Sequence, residues 1–102
     1  MKLLESKLLT KIINKYGEDA QLQQTMGECG ELIAVIHNYL RAKTYGHRTE
    51  TLDDVLEEAV DVHNMIQQIR HMDPLRFDEI FEQKKQKVLK KLNVENPKRK
   101  MS

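Results

Sequence analysis

The chain has 102 residues, 32% of them charged and 5% aromatic, and its 17 Lys and Arg against 16 Asp and Glu leave a formal net charge of +1. So short a chain is expected to form one domain that buries only about two thirds of its unfolded surface, and its even charge balance gives no reason to expect nucleic acid or an acidic membrane as partner. A single Cys excludes an internal disulfide, the apolar run at Leu3-Leu4 is too short for a signal peptide, and no stretch approaches the roughly 20 apolar residues of a membrane span, so a soluble, cytoplasmic, all-α protein is expected.

The first element is an amphipathic helix marked by Leu3, Leu4, Leu8, Leu9, Ile12, Ile13 and Tyr16 and ended near Gly17. It carries no chemical group of note, and its expected role is to cover the core. Glu18 and Asp19 then open a long helix that runs to about Tyr45, acids being welcome where the helix dipole is positive. Leu22, Met26, Cys29, Ile33, Ile36 and Leu40 step by four and three along it and predict its packing seam, which Leu32, Val35 and Tyr39 widen. Gln21, Gln24, Glu28, Glu31, Val35 and Asn38 form the neighbouring stripe, which places the acids at the edge of that seam.

Residues 43–50 lose the period and contain Gly46, so they read as the reversing loop, with His47 and Arg48 as cations in it. Thr51 with Asp54 resembles a capping box and starts a third helix, whose seam is Leu52, Val55, Ala59, Val62, Ile66 and Ile69. Asp54, Glu58, Asp61, Met65 and Gln68 occupy the stripe beside it. Two helices of similar length joined by a short loop pack antiparallel. Asp73-Pro74 stops the third helix and begins a fourth, with Phe77, Ile80, Phe81, Val88 and Leu92 as its apolar positions and Lys84, Lys85, Lys87, Lys90 and Lys91 as a basic face. One domain over residues 1–92 and a disordered basic tail over 93–102 are the expected organisation.

The chemistry resides in two acidic pairs. Glu28 with Glu31, and Glu58 with Asp61, are each three residues apart and so project from one face of their helices. Like charges at that spacing cost stability, so two such pairs facing each other across a hairpin suggest that a cation lies between them. Oxygen-only ligation selects a hard ion, Mg²⁺ or Mn²⁺. Di-iron chemistry would need Glu-x-x-His, whereas the third residue after Glu58 is Asp61 and His63 lies off that face. Cys29 in the seam reads as a small buried hydrophobe, and His37 and His71 have no partner at ligand spacing.

Glu28-Cys29-Gly30-Glu31 followed, after 26 intervening residues, by Glu58-Ala59-Val60-Asp61 resembles the Glu-x-x-Glu and Glu-x-x-Asp signature of the MazG-like, all-α nucleoside triphosphate pyrophosphohydrolases. The resemblance runs from about residue 15 to 92 and takes in Gln21-Leu22, Leu32-Ile33, Asn38-Tyr39-Leu40-Arg41, Met65-Ile66 and Gln68. Gly27 departs from it, since many members carry a further acid there. It implies a four-helix bundle, and because the seams of the second and third helices are flanked by more apolar residues than one hairpin with a short first and fourth helix can cover, completion of that bundle by oligomerisation, as a homodimer or homotetramer, is expected. It also implies an enzyme that hydrolyses a nucleoside triphosphate between the α and β phosphates to monophosphate and pyrophosphate. Glu28, Glu31, Glu58 and Asp61 would hold Mg²⁺, with Mn²⁺ as substitute, and Glu31 would take the proton of the attacking water. Lys84 and Lys87 align with a basic pair of the family's last helix and would clamp the pyrophosphate, while Gln21, Gln24 and Gln68 are candidates for contacts to base or sugar. A catalytically silent relative that binds nucleotide or metal, and a helical dimerisation module, are the alternatives.

Overall fold

The computed structural model describes residues 4–46 and 50–95, and the described residues contain helices and no strand. These are α1 (Ser6–Tyr16), α2 (Glu18–Tyr45), α3 (Leu52–Met72) and α4 (Pro74–Glu95). His47 and Arg48, and the expected tail from residue 96 onward, lie outside the described residues. Each boundary has a local cause. Gly17 and Gly46 adopt φ of 89° and 71°, which glycine tolerates without strain, and donate their N–H groups to Ile13 O and Ala42 O. Thr51 N–H donates to Asp54 Oδ2 at 2.8 Å while Asp54 N–H donates back to Thr51 Oγ1 at 3.4 Å, a reciprocal cap. Asp73 Oδ1 accepts from Arg76 N–H at 3.2 Å, with Pro74 at the first helical position.

Two ends differ from expectation. Helix α1 begins at Ser6, and ahead of it the Leu4 N–H donates to Gln67 Oε1 of α3 at 2.6 Å. Helix α4 runs past Leu92 to Glu95, there being no Pro or Gly before Pro97 to stop it.

The chain divides into two units, Met1–Met72 and Asp73–Ser102. In the first, α2 and α3 form an antiparallel hairpin: Gln21 meets Gln68, and Glu28 approaches Glu58, so partners advance in opposite directions along the two helices. Helix α1 packs on both. Among the described residues Leu9 and Met65 are the buried hydrophobic ones, and they share the interior with Gln21, Thr25, Gln67 and Gln68. Gln21 Nε2 donates to Gln68 Oε1 at 2.5 Å, and Thr25 Oγ1 donates to the Gln21 carbonyl at 2.8 Å, so these polar groups enter the core with partners.

The expected seam of α2 is turned away from α3. Met26 and Ile33 are 72% and 70% exposed, and Leu22, Ile36 and Leu40 are exposed with them. Cys29 of that seam and Leu32, Val35 and Tyr39, expected to widen it, are half-buried, and Gln21, Thr25 and Glu28 are buried or half-buried with them. Each residue advances about 100° around a helix, so a neighbouring register steps by the same fours and threes, and hydrophobicity alone picked the more apolar one. On α3 the expected positions Val55, Ala59, Val62 and Ile69 are half-buried, whereas Leu52 and Ile66 are exposed together with Leu56 and Val60. The second unit contains α4, whose apolar residues Phe81 and Val88 are exposed and whose Lys84, Lys85, Lys87, Lys90 and Lys91 all face solvent.

Candidate metal centre

Rotating the α2 seam by one position moves Glu28 from its edge into the hairpin. Glu28 of α2 and Glu58 of α3 are half-buried, and one carboxylate oxygen from each of Glu28, Glu31 and Glu58 lies within 4.8 Å of the others. Glu31 stands one turn along α2 from Glu28 and is exposed, which leaves one side of the group open. Asp61 is exposed and its oxygens are outside this set. It faces Glu58 from the next turn of the same helix, so it contributes charge to the group.

Glu58 bears the consequence of this crowding. Burial, and then the charges of Glu31, Asp61 and Glu28, raise the Glu58 carboxyl above its ordinary value of 4.5. Oε2 of Glu28 and Oε2 of Glu58 are shut off from solvent and accept no hydrogen bond from protein. A buried acceptor without a donor carries the full cost of its lost hydration. A hard divalent cation coordinated by oxygen offsets that cost and the mutual repulsion at once, so this donor set fits Mg²⁺ or Mn²⁺. Nε2 of His63 is likewise buried and unpartnered, but its side chain is not part of the carboxylate group.

The remaining candidates are distributed as follows. Gln21 and Gln68 are buried and bonded to each other across the hairpin, and Gln68 Nε2 also lies 3.6 Å from Met65 Sδ; these amides tie α2 to α3. Gln24 is exposed, and its Nε2 donates to Glu28 Oε1 at 3.0 Å. Lys84 and Lys87 are exposed on α4. Cys29 is a free, half-buried thiol, and His71 Nε2 lies 2.8 Å from Thr10 Oγ1, where it joins α3 to α1. Sequence reading missed the Gln24–Glu28 bond, although a spacing of four was the available signal. It also missed Gln67, which accepts from Leu4 N–H and donates to Asn64 Oδ1. No helix among the described residues is long and apolar enough to cross a membrane. Compared with family models, curated proteins and solved structures, the chain matches none.

Proposed function

We propose that this protein is a cytoplasmic, Mg²⁺-dependent nucleoside triphosphate pyrophosphohydrolase of the MazG-like kind, which cleaves between the α and β phosphates. One observation carries the reading: carboxylates of Glu28, Glu31 and Glu58 converge from both helices of the hairpin, two of them with a buried oxygen that no protein donor satisfies. The donor spacing in the sequence, Glu-x-x-Glu and Glu-x-x-Asp, supports it.

Glu28, Glu58 and Glu31 hold the ion, and Asp61 adds negative charge beside them. Mg²⁺ held there would offset the negative charge of the triphosphate and make a nearby attacking water easier to deprotonate. Glu31, the exposed carboxylate, accepts that water's proton as the oxygen bonds to the α phosphorus and the bond to the bridging oxygen breaks. Pyrophosphate leaves with the electron pair of that bond. Gln24 acts on Glu28, and Gln21 and Gln68 hold the hairpin in register. The test is a panel of nucleoside triphosphates incubated with Mg²⁺ and analysed for products. Monophosphate plus pyrophosphate is expected from at least one of them; orthophosphate plus diphosphate overturns the assignment.

The same reading includes assembly as a homodimer or homotetramer. Leu22, Met26, Ile33, Ile36 and Leu40 line one exposed face of α2, and Leu52, Leu56 and Val60 are exposed on α3. Fully burying an aliphatic side chain is worth about 1.5–3 kcal/mol, so covering this stripe with a second copy supplies the core that one chain lacks. Light scattering should report at least twice the 12.0 kDa chain mass. Ile33→Glu, which places a charge in the stripe, should shift the population to monomer. A monomeric, cooperatively folded parent at micromolar concentration would contradict the assembly.

A further inference from the structure

We infer that Gln24 is a positioning residue for Glu28, a role that rests on the carboxylate group being a cation site. Glu28 is half-buried, and its two oxygens are unlike: Oε1 accepts from Gln24 Nε2 at 3.0 Å, whereas Oε2 is buried without any donor. A glutamate has three rotatable side-chain bonds, and its like-charged neighbours push it outward to solvent. The Gln24 amide opposes that escape. It sits one turn before Glu28 on the same face and engages one oxygen, and so fixes the carboxylate beside Glu31 and Glu58, with which one Glu28 oxygen forms the group. A neutral donor suits this position, since an acid there would add repulsion at i,i+4. Hydrogen-bond partners of ligating carboxylates act in this manner, and their removal typically costs about 10–100-fold in metal affinity.

The role differs measurably from a contact to base or sugar. Positioning acts on the metal alone, in the absence of nucleotide; a substrate contact acts on KM and leaves metal binding as it was. Mn²⁺ titrated into the nucleotide-free protein, followed by calorimetry and by the loss of the free-ion electron paramagnetic resonance signal, separates them. Gln24→Met retains length and helix propensity and deletes the donor. It should bind Mn²⁺ about 10–100-fold more weakly, with the metal-free melting temperature unchanged because the side chain is exposed. Gln23→Met, at the adjacent exposed position, should bind as the parent does. Equal Mn²⁺ affinity in Gln24→Met and the parent overturns the positioning role while leaving the metal site standing. A parent chain that binds no Mn²⁺ overturns the metal site itself, and this role with it.

Discussion

Glu58→Gln should lower pyrophosphate release by more than about a hundredfold, beyond the 10–100-fold typical of residues that only support a ligand, and should leave the metal-free protein at least as stable as the parent. Glu58 is the carboxyl on which burial and the three other acids all bear, so its charge is the least welcome in the metal-free state and the most useful once a cation is present. Glutamine keeps the shape and deletes the charge. Activity and metal-free stability are therefore expected to move in opposite directions, which loss of a purely structural side chain does not produce. Asp61→Asn provides the contrast. Its oxygens lie outside the close group, so it should cost less activity than Glu58→Gln while also relieving repulsion. A Glu58→Gln protein that unfolds without metal, or that keeps parental turnover, would remove the carboxylate group from the mechanism.

Saturating Mg²⁺ or Mn²⁺ should raise the melting temperature by roughly 10 °C or more. Binding to the folded state alone adds about 2.7 kcal/mol at a hundredfold excess over Kd, and each kcal/mol moves the midpoint of so small a domain by about 4–8 °C. The pH dependence has a definite sign. Because the folded-state value of Glu58 is raised above 4.5, the folded chain holds a proton that the unfolded chain has released, and this stabilises the fold below the raised value. As pH rises through that window the contribution is lost, so the metal-free melting temperature should fall. Metal binding needs the ionised carboxylate, so the metal-induced gain should grow over the same window. Differential scanning calorimetry between about pH 5 and about pH 8, with and without the ion, checks both slopes. Glu58→Gln should flatten the metal-free slope, and a metal-free protein that instead gains stability across the window in the parent but not in Glu58→Gln would contradict the charge arrangement.

The local structure was legible because it depends on residues close in the chain. Gly17, Gly46, Thr51 with Asp54, and Asp73-Pro74 each act through their own φ preference or a hydrogen bond reaching three or four residues, and the helices begin or end beside them. The acidic pairs were equally legible, since a spacing of three puts two carboxylates on one helical face whatever surrounds them. Three of those four acids do come together.

What the sequence by itself determined, then, was which residues share a face; which face meets which neighbour was decided only by the tertiary structure. Helix α2 has two adjacent stripes with the same stepping, and the more apolar one, from Leu22 to Leu40, is left exposed while Gln21, Thr25 and Glu28 turn towards α3. Burying that polar stripe becomes tolerable because α3 supplies Gln68 as a partner for Gln21 and α2 itself supplies the Gln21 carbonyl for Thr25. The pairing across the hairpin joins residues 47 positions apart, a relation that no periodicity along one helix encodes. The same rotation draws Glu28 inward, where its Oε1 accepts from Gln24 Nε2, while Asp61 is left exposed.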